Sequence, residues 1–91
     1  MYRLRCSGGT KATRFYLHIH DRNRTLRDRD GVGCADLSVA RRLAFEIVEE
    51  LIGDGAWPPN SNSGRHVAIE DSKGQVVARV MLWEVVEHIR R

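Results

Sequence analysis

The chain has 91 residues, of which 42% are hydrophobic and 30% charged, and its formal net charge is +3. This length allows one domain with one small core, and the composition excludes wholesale disorder. No stretch of the sequence is apolar for long enough to form a membrane-spanning helix, and no apolar stretch follows the N-terminus as in a signal peptide. We therefore expect a cytoplasmic protein with no membrane partner, in which Cys6 and Cys34 stay reduced.

The N-terminal part of the chain differs from the rest in periodicity and in charge. Residues 1–12 show no periodicity and are broken by Gly8-Gly9, so we predict a flexible extension before a single domain at residues 13–91. Residues 1–29 hold eight Lys or Arg and two acids, whereas residues 30–91 hold seven and ten. Such an uneven distribution favours an acidic partner for the N-terminal part.

An alternating segment opens the domain and is typical of a half-buried strand. Its two faces consist of Phe15, Leu17 and Ile19 on one side and Tyr16, His18 and His20 on the other. Turn-forming residues 21–23 lead to a short returning strand around Leu26, and residues 28–33 are predicted to form a loop. The segment therefore predicts an antiparallel hairpin.

One amphipathic helix is predicted at about residues 37–52, with Asp36 or Ser38 as its N-cap. Residues 65–70 and 75–82 alternate on either side of a turn, which is typical of a second hairpin. Residues 83–91 fit either a continued strand or a short helix. The order β-β-α-β-β predicts an α+β fold, with two hairpins in one antiparallel sheet and the helix packed on one face.

The predicted packing divides the sheet into a covered and an uncovered face. The apolar side of the helix should meet the apolar positions of both hairpins, and these residues are Leu37, Leu43, Ile47, Leu51, Phe15, Leu17, Ile19, Val67 and Ile69. The face that carries Tyr16, His18 and His20 is then left without a helix. We expect any function that the sequence encodes to lie on this uncovered face.

No complete catalytic arrangement is recognised in the sequence, and we expect neither enzymatic activity nor a cofactor. A core this small leaves a thin margin of stability, which favours association with a partner. The preferred hypothesis is therefore a small interaction module that binds another protein or forms a homodimer. Trp57 and Val39 are the predicted exposed apolar contacts.

The arginine-rich first hairpin supports an alternative hypothesis, binding of single-stranded nucleic acid. In such binding, cations hold the phosphates and flat rings lie under the bases. The interleaved acids Asp21, Asp28 and Asp30 weaken the local positive field. The candidate binding residues are Arg14, Tyr16, His18, His20, Arg22, Arg24 and Arg27.

A metal site is the third hypothesis. His18 and His20 face the same way on a strand, and such a pair can bind zinc or another first-row metal. A catalytic zinc site needs three protein ligands, and His66 can contribute only if its strand lies beside the first one. The competing interpretation is two polar residues on the solvent side of a half-buried strand.

Four short motifs occur in a fixed order along the chain. They are Arg14-Phe15-Tyr16-Leu17-His18-Ile19-His20-Asp21, Asp28-Arg29-Asp30-Gly31-Val32, Asp36-Leu37-Ser38-Val39-Ala40 and Val67-Ala68-Ile69-Glu70-Asp71-Ser72-Lys73-Gly74. In this order the chain resembles a family of small uncharacterised bacterial proteins, classed as a domain of unknown function. The resemblance covers roughly residues 13–82 and implies no activity. It implies that residues 1–12 are an extension, and the chain departs from it at Cys34-Ala35, where an apolar residue and proline are usual.

Overall fold

The computed structural model describes residues 13–60 and 64–90, so the predicted extension at residues 1–12 lies outside the described residues. The elements are β1 (Thr13–Asp21), β2 (Arg24–Leu26), β3 (Val32–Cys34), α1 (Leu37–Gly53), β4 (His66–Glu70), β5 (Val76–Met81) and α2 (Leu82–Ile89). The predicted α+β class is confirmed, since an antiparallel sheet is combined with helices. Within the described residues, no helix has the length and apolar character needed to cross a membrane.

The structure adds two elements to the predicted order. Residues Val32–Cys34, predicted as the end of a loop, form β3 and pair antiparallel with the first residues of β1. The C-terminal segment forms the helix α2 and buries Leu82, Val85 and Val86. The helical spacing outweighs the β-branched content of this segment, because a helix turns positions 82, 85 and 86 towards the same side.

β1 lies in the interior of the sheet, whose order is β2-β1-β4-β5, and β3 pairs with β1 outside this path. Leu17 lies opposite Ile69 on β4, and Ile69 lies opposite Ala78 on β5. The register between β4 and β5 then shifts, because Glu70 pairs with Val76. This β-bulge leaves Val77 as the extra residue of β5 and makes the two strands twist locally.

α1 covers one face of the sheet, as its periodicity predicts. Asp36 is its N-cap, and the carboxylate of Asp36 accepts a hydrogen bond from the Val39 N–H at 3.2 Å. The side chains that α1 buries are Ala40, Ala44, Ile47, Val48 and Leu51. They form one core with Phe15, Leu17, Ile19, Val67 and Ile69, while Leu37 and Leu43 are half-buried against it. Burial of each large aliphatic side chain contributes about 1.5–3 kcal/mol.

The two predicted exposed contacts are packed instead, so that prediction is wrong. Trp57 is 1% exposed and belongs to the core. The segment after α1 folds back, since the Trp57 N–H donates to the Leu51 carbonyl at 3.0 Å and the indole hydrogen-bonds to Asp21. Val39 is half-buried and packs against the same core. Trp83, the other tryptophan, is 61% exposed.

Candidate functional site on the helix-free face

The face of the sheet opposite α1 carries two rows of side chains that cross the strands. We call this surface the helix-free face. Its first row is Thr25, His20, His66 and Met81, as the strand register shows. Its second row contains His18, Ala68 and Arg79, with Arg27 beside His18 at the end of β2. Basic groups therefore dominate this part of the surface.

His18 belongs to this face but is only 5% exposed. Its Nδ1 accepts a hydrogen bond from the backbone N–H of Asp28 at 3.0 Å. Because Nδ1 is the acceptor, the neutral ring carries its proton on Nε2. The expectation that His18 lies on the solvent side is wrong, because the segment after β2 returns over the imidazole.

The Nε2 atom of His18 is buried next to a carboxylate. It lies 3.2 Å from Oε1 of Glu70, whose side chain is 26% exposed. The contact lacks the alignment of a hydrogen bond, so Nε2 has no hydrogen-bond partner among the described residues. The carboxylate therefore lies beside Nε2 of the ring without forming a well-aligned hydrogen bond.

The carboxylate of Asp28 holds the segment between β2 and β3 against β1. One oxygen accepts the Leu17 N–H at 3.2 Å, and the other accepts the Gly31 N–H at 2.9 Å. Leu17 lies between the part of β1 that pairs with β3 and the part that pairs with β2. At Leu17 the Asp28 carboxylate therefore accepts the backbone hydrogen bond that a neighbouring strand would otherwise accept.

We expect Asp28→Ala to lower the free energy of unfolding by about 2–4 kcal/mol, because it leaves two partly buried N–H groups without their acceptor. Asp28→Asn keeps one carbonyl acceptor and should lose about half as much. Urea unfolding followed by circular dichroism measures both. Asp30→Ala, at an exposed neighbouring position, is the matched control and should change stability by less than about 0.5 kcal/mol. Equal decreases in the free energy of unfolding for Asp28→Ala and Asp30→Ala would show that the two hydrogen bonds of Asp28 do not hold the loop.

His20 and His66 form a stacked pair across β1 and β4. Their ring centroids are 4.6 Å apart and the ring planes differ by 12°. Nδ1 of His20 also lies 3.2 Å from the hydroxyl oxygen of Thr25. Partial burial lowers the pKa of His20, and the nearby basic groups of His66, His18, Arg79 and Arg27 lower it further. The imidazole of His20 is thus held towards its neutral form by its partial burial and by its basic neighbours.

A shallow depression of about 320 Å³ lies beside these rows, between the β1–β2 hairpin and the β4–β5 turn. Its lining includes Tyr16, Arg27 and Arg29 together with the acidic residues Asp28, Glu70 and Asp71. The volume falls at the lower end of the range for small-molecule pockets. The depression therefore combines a tyrosine ring, two guanidinium groups and three carboxylates.

The family model for the domain of unknown function DUF6894 matches residues 14–83. The chain belongs to this family. No curated protein and no solved structure matches the chain. The matched range of the DUF6894 domain begins at Arg14 in β1 and ends at Trp83 in α2, so it includes both rows of the helix-free face.

The structure separates the predicted nucleic-acid-binding residues of the DUF6894 domain into two groups. Arg14, Tyr16, His18, His20 and Arg27 lie on the helix-free face, although Arg14 donates to the Asp30 carbonyl and His18 is buried. Two further arginines lie elsewhere. Arg22 is exposed in the β1–β2 turn with a φ of 50°. Arg24 lies opposite Asp21, at a strand position that faces away from the helix-free face.

The structure also adds Arg79 to the helix-free face of the DUF6894 domain. Alternation in β5 places Arg79 on the side of the sheet opposite the core. Only the strand order shows that Arg79 lies opposite Ala68 on β4 and that Ala68 in turn lies opposite His18 on β1. His66 likewise lies beside His20 because β4 pairs with β1. Local periodicity predicts neither the pairing of Arg79 with Ala68 nor that of His66 with His20.

The metal hypothesis finds no third ligand in the described part of the DUF6894 domain. Within residues 13–60 and 64–90, no group of three or more His, Cys, Asp or Glu side chains is arranged to hold a metal ion. His18 uses Nδ1 for the Asp28 N–H, and the ring of His20 lies flat against His66. The two predicted ligands therefore serve different local contacts.

Large exposed apolar side chains lie towards the two edges of the sheet and on α2. They are Leu26, Val76, Val77, Trp83 and Ile89. Leu26 is at the β2 edge, whereas the others belong to the C-terminal hairpin strand and the helix that follows it. Trp83 directly follows the first residue of α2, so it lies near the end of β5. Four of these five side chains in the described part of the chain therefore belong to its C-terminal end.

Proposed function

We propose that this DUF6894 domain is a non-enzymatic interaction module that pairs with a second copy of itself along β5. The observation that carries the proposal is an apolar edge strand with an exposed tryptophan two residues after its end. β5 pairs with β4 on one side, and Val76 and Val77 on it are 42% and 40% exposed. Large aromatic residues that are exposed in the monomer are enriched in protein interfaces.

The two edges of the sheet differ in how they resist pairing. β2 has three residues and is surrounded by the charged side chains of Arg22, Arg24 and Arg27. Short length and charge are common protections of an edge strand. β5 has six residues and only one charged side chain, Arg79. The bulge at Val77 distorts the beginning of β5, but Ala78 to Met81 continue in regular register with β4.

A second copy fits this edge better than an unrelated strand, because β5 can pair with itself about a two-fold axis. An antiparallel pairing centred on β5 places residue 83 of each copy near residue 74 of the other. Trp83 would then cover the Asp71–Gly74 turn of the second copy. In that turn, the Asp71 carboxylate accepts from the Lys73 and Gln75 N–H groups at 2.9 and 3.0 Å, which makes it a rigid surface.

Light scattering coupled to size-exclusion chromatography tests the proposal. We expect the wild-type chain to have twice its 10.4 kDa mass at high concentration and to dissociate on dilution. Val77→Lys should produce a monomer, since a lysine is a protective residue on an edge strand. Trp83→Ala should weaken the dimer by about 2 kcal/mol or more if Trp83 is central to the interface.

Leu26→Lys is the matched control, because Leu26 is an exposed apolar residue at the opposite edge and is 63% exposed. It should leave the dimer unchanged. A wild-type chain that stays monomeric over the whole concentration series would refute self-association. A dimer that survives Val77→Lys but dissociates with Leu26→Lys would place the interface at the other edge and refute the role of β5.

A further inference from the structure

We propose that the helix-free face binds single-stranded nucleic acid, with Arg27 and Arg79 on phosphates and one base in the depression beside Tyr16. This site uses the face of the sheet rather than the β5 edge, but it shares the Asp71–Gly74 turn, which Trp83 of a second copy would cover in the proposed dimer. Its geometry rests on the strand register and on the described side chains.

The basic groups of this face are close together and come from separate strands. His20 on β1 stacks on His66 of β4, Arg79 projects from β5, and Arg27 follows β2. The charged groups that act most strongly on His20 are His66, His18, Arg79 and Arg27, all of them basic. The guanidinium charges of Arg27 and Arg79 attract an anion to this face, and a bound anion would favour protonation of His20.

The spread of these groups favours a chain of phosphates over a single one. Arg27 and Arg79 lie at opposite ends of a row that crosses from β2 to β5. Neighbouring strands are about 4.8 Å apart, so the backbones of the two arginines are about 14 Å apart. Both side chains are exposed, and an extended polyanion that crosses the strands can contact both at once.

The depression distinguishes a nucleic acid from other polyanions. Its wall contains the Tyr16 ring, on which a base can stack, and three carboxylates. Both oxygens of Asp28 already accept backbone N–H groups, so Glu70 and Asp71 are the carboxylates available to a ligand. Carboxylates would repel a plain polyphosphate or sulfated sugar. They accept hydrogen bonds from the exocyclic amino group of cytosine, as glutamate and aspartate do in base recognition. The mixed lining therefore fits a base that has an amino group.

The buried His18 holds this surface in shape. Its hydrogen bond to the Asp28 N–H fixes the start of the segment that carries Arg29, and its Nε2 lies 3.2 Å from the Glu70 carboxylate. His18 thus serves as a positioning residue beneath the site. Its burial leaves Tyr16, His20 and His66 as the rings of this face that a ligand can reach.

Fluorescence anisotropy with labelled oligo-dC and oligo-dT of roughly 12 nucleotides tests the proposal. We expect oligo-dC to bind at about 50 mM salt and to bind several-fold more tightly than oligo-dT. Arg27→Ala and Arg79→Ala should each weaken binding about five- to tenfold, and each should reduce the slope of log K against log salt by about 0.7. Binding should tighten as pH falls, because protonation of His20 adds a positive charge, and His20→Gln should flatten this dependence.

Arg42→Ala is the matched control, because Arg42 is an exposed arginine on α1, away from the helix-free face. It should leave affinity and salt slope unchanged. Each variant is compared with wild type by circular dichroism and urea unfolding, so that loss of folding is recognised. Absence of oligonucleotide binding at low salt would overturn the proposal. Equal affinity for oligo-dC, oligo-dT and polyphosphate would also overturn it. Repeating the titration on Val77→Lys separates this result from self-association.

Discussion

Replacing Trp57 by alanine is expected to lower the free energy of unfolding by about 3–5 kcal/mol, the usual range for removal of a large buried aromatic side chain. The indole is 1% exposed, and its loss leaves a cavity between α1 and the sheet. It also removes the donor that hydrogen-bonds to Asp21. Domains of this size have a total stability of roughly 5–15 kcal/mol, so a large part of it would be lost.

The second tryptophan provides the control for this prediction. Trp83 is 61% exposed, and Trp83→Ala should change the stability of the monomer by less than about 0.5 kcal/mol. The chain contains two tryptophans, so Trp83→Phe leaves Trp57 as the only indole. Its fluorescence in a urea titration then reports directly on the core. The measurements should be made on the monomer, and a loss at Trp57 as small as the one expected at Trp83 would show that Trp57 is not a core residue.

Replacing Gly31 by alanine is expected to have the second large effect, about 3 kcal/mol, from two separate causes. The backbone of Gly31 has a φ of +74°, which is unfavourable for residues with a Cβ. An added Cβ would also lie 2.9 Å from the Phe15 carbonyl oxygen and from atoms of Arg14 and Tyr16. The Phe15 oxygen is backbone of β1, so it cannot move without disturbing the strand pairing with β3.

Gly74 separates the two causes. Its φ is +80°, but an added Cβ would have no atom within 4 Å. Gly74→Ala should therefore cost only the conformational part, about 1 kcal/mol. Thermal and urea unfolding of the two variants give the difference, which measures the close approach of residue 31 to β1. If Gly31→Ala were no worse than Gly74→Ala, the close approach would have no energetic weight.

The elements with strong local periodicity were predictable from the sequence. The apolar spacing of α1 and the capping carboxylate of Asp36 give nearly the observed helix, which ends at Gly53. Alternation assigned Phe15, Leu17 and Ile19 to the core, where they lie. Both patterns arise from geometry within one element, so they do not depend on the rest of the fold.

The candidate site was only partly predictable, because its contacts join distant parts of the chain. The polar face with Tyr16, His18 and His20 follows from alternation, but the stacking of His20 on His66 depends on the pairing of β1 with β4. The burial of His18 depends on how Asp28 returns to β1. The prediction that Trp57 is exposed was wrong for a similar reason. The loop contains Pro58 and Pro59 and gives no periodic signal for how the adjacent Trp57 packs.

The difference between the two edges of the sheet determines what kind of assembly the domain can form. When the same edge of two molecules pairs about a two-fold axis, neither molecule keeps that edge free, and the complex is closed. A fibre would require the β2 edge to pair as well, and this edge is short and flanked by arginines. If two copies pair along β5 as proposed, the assembly therefore stops at two copies, and the exposed apolar strand of the monomer would not lead to open-ended aggregation.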